Sequence, residues 1–321
     1  MTRLGYQIPN FTYPGVDPAG TFGSVVAQAR AAEAAGFDRV FVMDHFYQLP
    51  GIGTPDEPMF ECYTILSALA QHTKSVRLSA LVTGNTYRHP TLLAKTITAL
   101  DHVSGGRATL GIGSGWFELE HNSLGYEFGT FTDRFEKLEE ALQIIIPMLR
   151  GETVSLHGKH YQVTDAMNSP APISRIPIMI GGSGENKTLR MVAQYADESN
   201  LTGTVDEIPR KLDALAAHCE RLSRDRSDIT VTKLLSVLVA PTMEQAEADL
   251  RATAEVKGWN DAIIDMAKGI LIYGDPDTVG DQLQACMDTG IDGITVNLPI
   301  NGHIVDRIGL LAEIGVAATA S

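Results

Sequence analysis

The chain has 321 residues, 44% hydrophobic and 20% charged, and its 25 basic against 39 acidic side chains give a net charge of −14. That composition fits a soluble globular protein, and the charge excludes non-specific affinity for nucleic acid or anionic lipid, since both need positive surface. No apolar run reaches the ~18 residues of a membrane span, and the N-terminal MTRLGYQIPNF lacks a signal-peptide core, so a cytoplasmic address is expected. Cys62, Cys219 and Cys286 are odd in number and far apart, which speaks against a disulfide frame or a structural zinc.

Along the chain, strand and helix patterns alternate. Residues 4–9 read as a first strand, and 21–35 as a helix with Val25, Ala29 and Ala32 on its buried face and Gly36 as its stop. A strand at 39–43 precedes a Pro/Gly-rich loop and a helix near 60–72. Strand 76–82, helix 91–103 and strand 108–112 follow. Helix 133–149 carries Phe135, Leu138, Leu142, Ile145 and Leu149 at helical spacing. Asp133 with Glu136 suggests its cap, and Pro147 predicts an early end or a kink. The remainder reads as a hairpin at 153–163 turning at Gly158–Lys159, strand 176–180, helix 184–195, strand 198–201, helix 206–223, strand 229–239 and helix 242–256. An extended segment at 268–273, helix 276–289, strand 293–297 and a last helix near 302–315 complete the chain.

About eight strand–helix units without a charged linker predict one domain over 1–321. The expected fold is a (β/α)8 TIM barrel, with an open doubly wound sheet as the alternative. The stretches 114–130, 150–175 and 256–270 exceed ordinary loop lengths and read as insertions over one barrel face.

Four strand ends carry polar or glycine-rich groups, and barrel sites lie at the C-terminal ends of the strands. VFVMDHF passes from four apolar residues to Asp44 and His45; a loop-capping Asp and a satisfied His are the competing structural reading. In SALVTGNTYRHP the strand ends in Thr83-Gly84-Asn85, with Arg88 read as structural and Pro90 as the first turn of a helix. RATLGIGSGWFELEH has three glycines without the spacing of a dinucleotide loop, and leaves Trp116 and Phe117 near the mouth. PIMIGGSGEN runs from a buried strand into Gly181, Gly182, Ser183 and Gly184 directly before a helix, which suits a phosphate oxygen. It is neither a P-loop nor a GxSxG elbow. The histidines show no metal-ligand spacing, and His157 and His160 flank a hairpin turn, so no metal is expected.

Taken together, FDRVFVMDHF, LVTGNTYRHP, HVSGGRATLGIGSGWFELE, IMIGGSGENKTLRMVAQYADESN and YGDPDTVGDQLQACMDTGIDGITV resemble the luciferase-like superfamily, within it the coenzyme F420-dependent oxidoreductases. The resemblance implies hydride transfer between F420 and a small organic substrate; an FMN-dependent monooxygenase on the same fold is the alternative, and a non-catalytic flavin-binding barrel a third. It implies a cofactor phosphate on Gly181, Gly182 and Ser183, with Gly184 opening the helix. A non-prolyl cis peptide is implied at Ala80–Leu81, with Thr83 bonding the cofactor, Asp44 positioning its ring, His45 as the catalytic histidine, and a homodimer. Sugar-phosphate dehydrogenases of the superfamily place a glutamate where this chain has Trp116, with Glu118 and Glu120 out of register. That departure points to a less polar substrate.

Overall fold

The computed structural model describes residues 3–320. In chain order it runs β1 (Arg3–Ile8), α1 (Thr21–Ala34), β2 (Arg39–Val42), α2 (Cys62–His72), β3 (Arg77–Ala80), β4 (Thr83–Gly84), α3 (Pro90–Ser104) and β5 (Leu110–Gly113). Then come α4 (Glu118–Leu124), α5 (Phe131–Leu149), β6 (Val154–His157), β7 (Gln162–Ala166), β8 (Ile178–Gly181), α6 (Thr188–Tyr195), β9 (Glu198–Leu201) and α7 (Ile208–Arg221). The chain finishes with β10 (Thr230–Val239), α8 (Met243–Lys257), α9 (Asp261–Ile270), β11 (Ile272–Gly274), α10 (Pro276–Met287), β12 (Gly293–Asn297) and α11 (Val305–Ala320).

The parallel ladder runs β3-β2-β1-β12-β10-β9-β8-β5-β4. In this ladder Tyr6 stands opposite both Val40 and Val296, and Val296 opposite Leu235. A bridge between Leu78 and Ala108 brings β3 against the start of the β5 strand and closes the ring. The result is a TIM barrel whose third strand is split: β3 pairs with β2, and β4 pairs with β5. Short runs such as RVFV and GITVN are buried along their whole length, as strands covered on both faces must be. Their apolar side chains, among them Tyr6, Val40, Leu78, Ile112, Ile294 and Val296, form one continuous core with the surrounding helices. Among the described residues no helix is long and apolar enough to cross a membrane.

Several expectations need correction. The cap of α5 is Thr130, whose hydroxyl accepts from the Asp133 amide while Asp133 bonds back to Thr130; Glu136 takes no part. Pro147 does not end this helix: its carbonyl accepts from the amides of Arg150 and Glu152 at 3.0 Å, and buried Met148 and Leu149 hold the last turn down. The segment expected to be extended at 268–273 is helical to Ile270, capped by Asn260, and only Ile272–Gly274 pairs as a strand. The non-prolyl cis peptide lies at Leu81–Val82, one residue later than Ala80–Leu81. The physical reason is register: the Leu81 amide still bonds the Val42 carbonyl at 2.9 Å, so the ladder with β2 persists through Leu81 and departs only after it. The stretches 114–130, 150–175 and 256–270 hold α4, the antiparallel β6–β7 hairpin and α9, respectively.

Candidate active site

Because β2 packs between β1 and β3, its C-terminal end delivers residues 44 and 45 to the barrel mouth. Their fates differ. Asp44 is buried, with Arg88 bonded to both carboxylate oxygens at 2.7 and 2.9 Å and the Gly84 amide at 3.0 Å. Burial raises its pKa above the ordinary aspartate value, and Arg88 is the main offset. Arg88 also reaches Glu61 at 2.6 Å and lies over the Tyr63 ring. Asp44 therefore ties β4 to the start of α3 beneath the rim through Arg88.

His45 faces the mouth. Its Nδ1 lies 2.9 Å from Oε2 of Glu120, a residue of the short helix α4 with no exposed surface. The same carboxylate accepts the Phe46 and Tyr47 amides, at 2.5 and 2.9 Å, and the Tyr87 hydroxyl. Burial alone would raise the pKa of Glu120, but the bonds from His45, Tyr87 and Tyr47 outweigh it and hold the group below the ordinary glutamate value. A carboxylate surrounded by donors is acceptor-only, so His45 Nδ1 carries the proton and Nε2 is the nitrogen able to exchange one. Trp116 and Phe117 stand edge-on to the imidazole, at centroid distances of 5.7 and 5.8 Å. Phe117 is buried, whereas Trp116 is 59% exposed, an apolar surface beside an ionisable group.

Behind this wall, the glycines of β5 and β8 have a packing reason. A Cβ on Gly113 would stand 3.0 Å from a Val82 methyl, and one on Gly181 would stand 2.9 Å from both. A Cβ on Gly111 would collide with the Ala80 carbonyl. The bulge between β3 and β4 fills that space, which explains Gly111 and Gly113 better than a ligand loop does. Gln7 supports the bulge by donating to the Leu81 carbonyl at 3.2 Å, and is itself held by Asn297. Thr83 is fully buried, its hydroxyl 2.5 Å from that of Tyr63.

At the end of the fifth barrel strand, Gly182 has φ of +111°, a conformation that favours glycine. Ser183 Oγ lies 2.8 Å from the Thr202 carbonyl and 2.9 Å from its hydroxyl. The helix expected to open at Gly184 starts later: residues 185–187 form a turn and α6 begins at Thr188, where no side chain caps it. Partly exposed Gly181, Gly182 and Ser183 beside an uncapped helix start fit a phosphate group. Elsewhere, Asp133, Glu136 and His160 offer ligand atoms within 4.8 Å of one another. The Lys159 ammonium already lies 3.5 Å from Asp133 and 2.7 Å from Glu136.

The model of a family described as luciferase-like monooxygenase matches residues 2–293. The chain belongs to the luciferase-like monooxygenase family. Among its relatives is an F420-dependent glucose-6-phosphate dehydrogenase of Microbacterium testaceum, 29% identical, with 85% of each chain covered. The fold is shared with an F420-dependent secondary alcohol dehydrogenase solved with an F420-acetone adduct, at a TM-score of 0.78, 18% identity and 99% coverage of both chains. It is also shared with a long-chain alkane monooxygenase, at a TM-score of 0.79 and 17% identity, covering 97% of this chain and 90% of that one. Within this family member the structure joins His45 to Trp116 and Phe117, and puts Asp44 and Thr83 just beneath them. Glu120, the partner of His45, does not stand out in the sequence pattern. Its signal was a glutamate in the first turn of a seven-residue helix directly after the aromatic pair.

Proposed function

We propose that the chain is an oxidoreductase that transfers hydride between coenzyme F420 and a small organic substrate of low polarity. The observation that carries this reading is the His45–Glu120 pair at the barrel mouth beside exposed Trp116. The relatives named for F420 dependence support the choice of cofactor. When bound, F420 supplies the hydride donor or acceptor. This chain's residues do the rest. Gly181, Gly182 and Ser183 would hold the phosphate, with Gly184 continuing the loop before the 185–187 turn, and Val82 and Leu81 would form the wall behind the ring. Asp44 and Thr83, expected to touch the cofactor itself, are buried and already bonded to Arg88, Gly84 and Tyr63, and would act on it only through β4.

The proton step belongs to His45. As an alcohol loses hydride from carbon, its O–H proton passes to Nε2; in the opposite direction Nε2 gives the proton to the carbonyl oxygen. Glu120 fixes the tautomer and balances the imidazolium that forms. The resemblance aligns Trp116 with a glutamate of sugar-phosphate dehydrogenases, and against its exposed ring an alkyl or aryl group lies better than a polyol does. A cytoplasmic homodimer, with 1–321 acting as one domain, belongs to the same reading.

The test is a titration of the protein with F420 and with FMN, followed by single-turnover hydride transfer to a panel of alcohols and ketones. His45→Ala is expected to lower the transfer rate ~100-fold or more while leaving F420 affinity within about twofold. FMN binding without F420 binding would transfer the chain to the monooxygenase reading, and an unchanged rate in His45→Ala would remove the proton role.

A further inference from the structure

Two lysines sit where a helix-packed barrel has little use for them. Lys211, on the first turns of α7, and Lys233, on β10, are 7% and 5% exposed. Burial of an ammonium is costly without compensation. Lys211 Nζ lies 3.3 Å from Ser183 Oγ and 3.5 Å from Glu207. Lys233 Nζ donates to the Gly203 carbonyl. Glu207 is itself shared with Arg210, at 3.6 Å, and with the Thr204 amide, while Arg210 also pairs with Glu185. Lys211 and Arg210 thus draw on the same Glu207 carboxylate and Lys233 on a carbonyl, so both buried ammonium groups have weak compensation where they lie.

We infer that Lys211 and Lys233 form the cationic floor of the phosphate cradle, with Lys211 as the positioning residue that makes Ser183 a donor to the anion. This rests on the reading of Gly181–Ser183 as the phosphate site. A serine hydroxyl both gives and takes hydrogen bonds. With the Lys211 ammonium filling a lone pair of Ser183 Oγ, the O–H must point away from the lysine. In the structure it points to the Thr202 carbonyl at 2.8 Å; an arriving phosphate oxygen takes that proton's direction instead. The weakly compensated ammonium of Lys211 then gains an anionic partner. Lys233, bonded through Gly203, holds the 202–207 loop that forms the far side of the cradle. The ligand class is a phosphate ester, and its non-phosphorylated counterpart bypasses the device.

The experiment measures dissociation constants by fluorescence titration for the full chain and Lys211→Met, with four ligands. These are F420, its phosphate-free deazaflavin chromophore, FMN and riboflavin. Whichever phosphorylated cofactor the wild type binds is expected to weaken at least about tenfold in Lys211→Met, the scale of a lost hydrogen-bonded charge. The matching phosphate-free ring should be unaffected within about twofold. Ser183→Ala, which leaves the buried charge in place, should lose discrimination in the same way and covers the case of a poorly folded Lys211 variant. Equal losses for both members of a pair would make Lys211 merely structural, and unchanged affinity for the phosphorylated member would overturn the inference. If the wild type binds FMN rather than F420, the cofactor reading fails while the FMN–riboflavin pair still decides this one. Binding of neither phosphorylated ligand overturns both.

Discussion

Replacing one oxygen of Glu120 with an amide nitrogen would put a donor among four others: the His45 ring, the Tyr87 hydroxyl and the Phe46 and Tyr47 amides. Glu120→Gln should therefore act on both chemistry and rigidity. We expect hydride transfer to fall by about 10²–10⁴, the range that a positioned acid–base group contributes, with F420 affinity little changed. Stopped-flow single turnovers separate the two quantities. At this scale the sequence shows half of the candidate site. Asp44 and His45 are visible because an apolar strand breaks into ionisable groups at its C-terminal end. Glu120 is hidden because α4 is too short for a periodic signal and its neighbour Glu118 is chemically identical but exposed. Lys211 is hidden because a lysine in an amphipathic helix reads as solvated.

Among the elements, α1 and the approach to β3 are joined by a single carboxylate. Glu33 accepts the amides of Lys74, Ser75 and Val76 and the Ser75 hydroxyl. Burial opposes its ionisation, but these donors lower its pKa from 4.5 to about 2. The folded state thus binds this proton more weakly than the unfolded one. The stabilisation is complete above the unfolded value of 4.5 and fades as pH falls toward about 2. Glu33→Gln should cost about 1–3 kcal/mol at pH 7, a difference that shrinks across that acid window; urea unfolding at pH 7, 4 and 2.5 checks it. Elements with long apolar runs or clear helical period, such as β12 and α5, are legible in the sequence. The helix α9 is less so, because Gly269 and the β-branched residues around it read equally well as extended. The split of the third strand leaves no mark in polarity at all, since both pieces are buried.

For the molecule as a whole, the end of the barrel opposite the site is tied across by Arg39 of β2 and Glu198 of β9, strands that are not neighbours in the ladder. They are 3% and 6% exposed. Removing one partner strands the other, so Arg39→Met should cost ~3–5 kcal/mol. Denaturant unfolding is expected to show that loss while cofactor affinity stays within about twofold, because the pair lies a strand's length from the mouth. Eight strand–helix units, and hence the barrel, are readable from the alternation of patterns. What closes the ring is not, because Leu78 and Ala108 look like any other core residues. The fit of Val82 over Gly113 and Gly181 has a further consequence. Positions 82, 113 and 181 share one volume, so they can drift only in concert: a larger residue on β5 or β8 must be answered by a smaller one at the bulge. Such a rule links distant segments through shape, and should appear as correlated replacement among relatives where hydropathy shows nothing.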